Sequence, residues 1–176
     1  MAHEENHKSE DEYADHAWEL IKKIQFALFT TWNGQKQDQF PLTAMADPDT
    51  GLIEFLVSQK SGRYAHLEAF PAVTLGFADT GGAKYVVVDG HARLSNDRAR
   101  IRELFTPFAK AWWDSAEDPD IRLLTVIPSA AELWDAPGKL IATAVMLGPP
   151  SPARSRRSAT TAPHACDMDA RPQPEL

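Results

Sequence analysis

The sequence has almost no cysteine: Cys166 is the only one in 176 residues. A single thiol cannot close an internal disulfide, so nothing in the chain calls for an oxidising compartment. Cys166 itself falls in a polar C-terminal stretch, where an idle thiol is the expectation. No apolar run approaches the roughly 20 residues that a membrane-spanning helix needs. The first residues, MAHEENHKSEDEY, are acidic and lack the basic-then-apolar layout of a secretion signal. Basic charge is also in deficit. Eighteen Lys and Arg stand against 25 Asp and Glu, which gives a formal net charge of -7 and a pI near 5.3. A phosphate backbone repels such a surface, which argues against non-specific nucleic-acid binding. The expectation is a cytoplasmic protein with neither membrane nor nucleic acid as partner.

Several chemistries are missing as well. The chain holds no G-x-G-x-x-G, no G-x-x-x-x-G-K-[ST] and no G-x-S-x-G, so it carries no dinucleotide fingerprint, P-loop or nucleophile elbow. His3, His7, His16, His66, His91 and His164 are scattered, without Cys or His partners at metal-ligand spacing, and no metal is expected. Surface histidine is the expectation for His66 and His91. Asp114, Glu117, Asp118 and Asp120 crowd into DSAEDPD, which reads as a solvated loop rather than a catalytic carboxylate pair. No catalytic acid or base can be named.

What is present is a core: 43% of residues are hydrophobic, enough for one domain. Ser9 and Glu12 fit a capping box, and Tyr13, Ala17, Leu20, Ile21 and Ile24 recur at helical steps up to the basic pair Lys22-Lys23. The pattern then changes to period two. FALFTTW is rich in aromatic and β-branched residues, and Asn33-Gly34 marks a hairpin turn into a return strand, DQFPLTAMA. LIEFLV, AVTLGFAD and AKYVVVDGHARL are further strands, with a short helix from Ser61 to about Ala69 between the first two. Asn96 is the expected cap of a helix over DRARIRELFTPFAKAWW, interrupted at Pro107. IRLLTVIPSAAELWD supplies one or two last strands, and KLIATAVML leans towards helix. Residues 1–9, and the Pro-, Ser- and Arg-rich residues 148–176, have too little apolar content to offset their ordering entropy and are expected to be disordered. The domain is therefore 10–147, mainly β, with many short strands that suit a closed antiparallel barrel with flanking helices.

One stretch concentrates polar chemistry. In EFLVSQKSGRYAHLE an apolar run ends and Ser58, Lys60, Ser61, Gly62 and Arg63 follow within six residues. Hydroxyls donate hydrogen bonds, glycine lets a ligand approach the backbone, and arginine can grip phosphate oxygens with two parallel bonds. A phosphate clamp is one reading; an ordinary strand-to-helix junction capped by Ser61 is the other.

The ordered set FALFTTW, QFPLTAM, GLIEFLVSQKSGRYAHL, PAVTLGFAD, YVVVDGHARLSNDRARIRELFTPFAKAWW and EDPDIRLLTVIPSAAELWD resembles the general stress protein branch of the pyridoxamine 5'-phosphate oxidase-like superfamily of FMN-binding split barrels. The likeness runs from about Tyr13 to Leu147. It implies a six-stranded antiparallel split barrel, a homodimer, and FMN in a groove between the protomers. It places the FMN phosphate at Val57, Ser58, Ser61, Gly62 and Arg63, and the flavin ring beside Phe40, Pro41, Leu42 and Thr43. Trp112, with Trp113 next to it, would border the ring from the partner subunit. It also implies a redox-linked flavoprotein, possible flavin-dependent oxidoreductase activity included. Two departures stand out: Phe40 replaces an arginine frequent in the second strand, and Val57 replaces a hydroxyl-bearing residue at the end of the third. They leave open another ligand, such as a deazaflavin or haem, a non-catalytic binding protein, or a cofactor-free dimer. The basic C-terminal strand that grips pyridoxal phosphate in the true oxidases is replaced by the Pro-rich tail, so oxidation of pyridoxamine phosphate is not expected.

Overall fold

The computed structural model describes residues 10–136 and 139–144. Helix α1, Glu10–Ile24, starts with three acidic residues and ends on Lys22 and Lys23, as the helix dipole favours. Its Ala17, Trp18, Leu20 and Ile21 are buried against the sheet. The chain then runs through β1 (Phe26–Trp32), β2 (Gln37–Thr43), β3 (Met45–Asp47) and β4 (Leu52–Ser58). After two short 3-10 turns come β5 (Ala72–Asp79), β6 (Lys84–Ser95), α2 (Arg98–Leu104), β7 (Ile121–Ala136) and β8 (Lys139–Ala144).

All strand pairs are antiparallel, and seven strands follow one path, β2-β1-β5-β6-β7-β4-β3, with β8 on β7. The two ends of that path are sequence neighbours, separated only by Ala44. The strand that leaves one edge at Thr43 re-enters at the other edge at Met45, so the sheet must curl back on itself: a split barrel. Ala44 is buried and its amide donates to the Gln25 carbonyl at 2.7 Å, which explains why the single expected return strand is broken there. That break and β8 raise the strand count from the expected six to eight among the described residues.

Alternation fills the barrel. Ala27, Phe29 and Thr31 of β1, Val73, Leu75 and Phe77 of β5, Val86 and Val88 of β6, and Ile53, Phe55 and Val57 of β4 all point inward. A smaller cluster, Ile101, Ile121 and Leu123, sits on the other side of β4 and β7 beneath α2. One glycine is demanded by sheet geometry. Pro128 cannot donate to the ladder, and the β6–β7 register shifts between Asp89 and Gly90 opposite it. A Cβ on Gly90 would lie 2.6 Å from the Ile127 carbonyl oxygen.

Three local expectations need correction. KLIATAVML is not a helix: Lys139–Ala144 forms β8, because the long β7 offers an edge and pairing overrides the helical preference of Ala and Leu. Residues 145–147 lie outside the described residues. The cap of α2 is Asp97, whose carboxylate accepts from the Arg100 amide at 3.0 Å, and not Asn96. That helix stops at Leu104, three residues before Pro107, and only a 3-10 turn, Ala109–Ala111, follows. Finally, Ser61–Ala69 is not one helix but two 3-10 turns, Gln59–Ser61 and Ala65–Glu68, separated by Gly62 at φ 67. The expected disordered ends, 1–9 and 148–176, the Ser9 cap and Cys166 fall outside the described residues.

Candidate functional site

The stretch after β4 is held by hydrogen bonds rather than by a helix. Ser61 Oγ donates to the Ser58 carbonyl at 2.8 Å, and the Gly62 amide donates to the Gln59 carbonyl at 3.2 Å. The left-handed turn at Gly62 then redirects the chain, and a Cβ there would meet nothing within 4 Å. The site therefore has open space at Gly62 but no helix N-terminus: a single 3-10 turn carries too few aligned peptides to act as one.

Arg63 is exposed and makes no salt bridge among the described residues. Its guanidinium carbon lies 5.5 Å above the ring centroid of Phe40, within cation–π range. Phe40 is only 6% exposed, because it belongs to a ring stack. It lies against Phe29 at 5.4 Å and edge-on to Tyr64 at 5.5 Å, and Phe29 meets Phe55 edge-on at 6.0 Å. Phe40 thus offers a ring face on which the Arg63 guanidinium rests.

The structure brings Phe40, Ser61, Gly62 and Arg63 into one neighbourhood. Ser58 has a different commitment. Its Oγ donates to Asp120 Oδ2 at 2.5 Å, while the Lys60 amide donates to Asp120 Oδ1 at 2.8 Å and the Gln59 amide to the Asp120 carbonyl at 2.9 Å. Val57 is buried in the barrel, so its side chain serves packing. On β2, Pro41 is exposed while Leu42 and Thr43 are half-buried. Trp112 is 73% exposed on the loop after α2, whereas Trp113 is half-buried against Ile101, Ile121 and Leu123. The structure does not put Trp112 in contact with the Arg63 group within this chain.

Asp120 is the residue that the sequence reading set aside. The DSAEDPD loop is not merely solvated. Arg98 donates to the carbonyls of Asp118 and Ile121, Arg102 pairs with Glu117, and Asp118 Oδ1 accepts from the Asp120 amide at 2.8 Å. Those bonds aim the Asp120 side chain at the Ser58–Lys60 turn. The Ser58 hydroxyl above all, then the Lys60 amide and charge and the Trp113 side chain, hold the Asp120 carboxyl below its ordinary value. No local signal could reveal this, since the partners are 62 residues apart. His66 also departs from a free surface histidine, with its Nε2 2.9 Å from the buried Thr31 hydroxyl.

Elsewhere, an open groove of about 280 Å³ runs past Thr30, Trp32, Thr74, Asp89 and His91, and none of the expected cofactor residues lines it. Among the described residues no three His, Cys, Asp or Glu side chains could hold a metal ion, and no helix is long and apolar enough to cross a membrane.

Comparison with known proteins agrees with the fold. The family described as "Pyridoxamine 5'-phosphate oxidase like" matches residues 12–148. The general stress FMN/FAD binding protein from Xanthomonas citri superposes with a TM-score of 0.65 at 24% identity, covering 78% of this chain and 99% of that one. A protein related to general stress protein 26, from Clostridium acetobutylicum, gives 0.68 at 16% identity, covering 79% and 97%. General Stress Protein 26 from Bacillus anthracis gives 0.64 at 16%, covering 73% and 97%. At these identities the likeness speaks for the fold. Comparison with curated proteins gives no match.

Proposed function

The chain belongs to the pyridoxamine 5'-phosphate oxidase-like family, and on that footing we propose that it is a flavin-binding protein of the general stress type that takes FMN. The observation that carries this reading is the exposed Arg63, free of salt bridges among the described residues and set over the Phe40 ring beside Ser61 and the open Gly62 turn. These groups suit a phosphate: a cation with two parallel donors and a backbone that a ligand can approach, with the Ser61 hydroxyl joining them once it leaves the Ser58 carbonyl. The name of the Xanthomonas citri neighbour supports a flavin as the ligand. In this reading Ser61, Gly62 and Arg63 hold the phosphate. The β2 segment from Phe40 to Thr43 borders the ring, and Trp112 closes it from a second protomer. When bound, a flavin supplies electron or hydride transfer, and the protein supplies binding and orientation. Replacing Arg63 with alanine is expected to weaken FMN about ten- to hundredfold, the loss of one charge-assisted contact of about 1.5–3 kcal/mol. Riboflavin, which lacks the phosphate, should bind wild type and variant alike. Quenching of flavin fluorescence measures both, and equal FMN affinities would remove Arg63 from the site.

The assembly we propose is a homodimer formed through the outer sheet face. Phe26 and Leu28 of β1 are 60% and 46% exposed, and Leu28 continues a row through Pro41, Gly76 and Val87 across four strands. Tyr85 extends the same apolar face. A contiguous apolar patch of this kind marks an interaction surface. Leu28→Asp places a charge in its centre and is expected to yield monomers at micromolar concentration, read by analytical ultracentrifugation. A wild-type monomer, or a Leu28→Asp dimer, would discard this face.

A further inference from the structure

The donors that the turn after β4 could offer a phosphate are shared with a carboxylate of the chain itself. Asp120 receives the Ser58 hydroxyl at 2.5 Å and the Lys60 amide at 2.8 Å, one on each carboxylate oxygen. Its backbone carbonyl takes the Gln59 amide at 2.9 Å, which locks the start of β7 to this turn. Two donors on two oxygens of one planar anion is the arrangement by which a turn holds a phosphate edge. Here the anion is covalently part of the fold. Across the turn, Ser61 and Arg63 remain without an acid partner among the described residues.

We propose that Asp120 is a specificity-determining residue: an internal anion that occupies the Ser58 and Lys60 donors and sets how strongly the site favours a phosphate-bearing flavin over a neutral one. The inference rests on the flavin reading above and deepens it. A phosphate at Ser61, Gly62 and Arg63 would lie next to the Ser58–Lys60 turn that the Asp120 carboxylate holds, and like charges brought to one turn disfavour each other. It also finds two hydroxyl and amide donors already taken. The wild-type site therefore gains less from the phosphate than its count of polar groups suggests. Ser58, which sequence reasoning placed in the clamp, becomes available to a ligand only when Asp120 gives it up. The charge at Asp120 is secured in the folded chain, because Ser58 and Lys60 hold its carboxyl below the ordinary value.

The test is the ratio of FMN to riboflavin affinity in the full-length protein, measured by fluorescence quenching for wild type and Asp120→Asn. The amide keeps an oxygen for one donor and removes the charge. The ratio is expected to rise about tenfold, through tighter FMN with riboflavin unchanged, which corresponds to about 1.4 kcal/mol. Asp120→Ser serves as the second variant: it is neutral and short, and a similar rise in both assigns the effect to charge rather than to shape. Thermal unfolding by circular dichroism confirms that each variant is folded, and the ratio is read from whichever variant is. An unchanged or reduced ratio in folded variants, with wild type still binding FMN, overturns the role of Asp120 and leaves the flavin reading standing. Absence of binding of either flavin to wild type and variants overturns both.

Discussion

Arg100→Ala should destabilise the fold by about 3–5 kcal/mol, the usual cost of stranding one member of a buried ion pair. The stranded partner is Glu54, whose side chain is 4% exposed on β4, between β7 and β3. In the wild type, Arg100 Nε and Nη2 both donate to Glu54 Oε2, at 2.8 and 2.6 Å, and Nη1 donates to Glu103 at 2.8 Å. Those bonds, Glu54 first and Glu103 second, raise the Arg100 guanidinium above its already high ordinary value. Arg100 thus pins α2 to the sheet, over the cluster of Ile101, Ile121 and Leu123. The loss would consume a large part of the 5–15 kcal/mol that separates a typical domain from its unfolded chain. Urea unfolding monitored by circular dichroism reads it as a lowered midpoint at unchanged slope. The double replacement Glu54→Leu with Arg100→Met removes both charges and should recover most of the loss. If Arg100→Ala costs under about 1 kcal/mol, Glu54 is solvated and the packing of α2 has been misread.

Phe29→Ala should cost a similar amount, about 3–5 kcal/mol, through lost transfer energy and the cavity left behind. Phe29 is fully buried at the centre of the aromatic group, stacked on Phe40 and edge-on to Phe55. The consequence reaches beyond stability. Phe40 rests on Phe29, and Arg63 rests on Phe40. A cavity under Phe40 lets that ring tilt and loosens the guanidinium above it, so FMN affinity should fall in the folded fraction while the affinity for riboflavin falls less. Denaturant unfolding gives the first quantity and paired flavin titrations the second. A destabilised Phe29→Ala protein with unchanged FMN affinity would separate the aromatic core from the site.

The elements legible in the sequence were those whose signal is local. The two-residue alternation of FALFTTW and AVTLGFAD, the Asn33-Gly34 turn and the helical spacing of Ala17, Leu20 and Ile21 each reflect a face chosen within one element. Where a distant partner decides, the sequence is silent. KLIATAVML holds good helix formers, and only the free edge of β7 makes its first part a strand. DQFPLTAMA reads as one strand, and only the Gln25 carbonyl shows why it breaks at Ala44. The site divides in the same way. Ser61, Gly62 and Arg63 are neighbours in the chain and could be read together. The pairing of Phe40 with Arg63 and of Ser58 with Asp120 depends on β2 and β7 arriving at the same turn from opposite directions. Serine and arginine spacing can suggest a clamp, but it cannot show that an aspartate from elsewhere has already taken two of its donors.

The most direct test of the account is a titration of FMN with the purified, tag-free chain, followed by flavin fluorescence and by the visible spectrum. The account expects saturable quenching at one FMN per chain, with a flavin spectrum that travels with the protein through gel filtration. Fluorescence that stays unchanged across the titration, with no flavin retained on the folded protein, would contradict it.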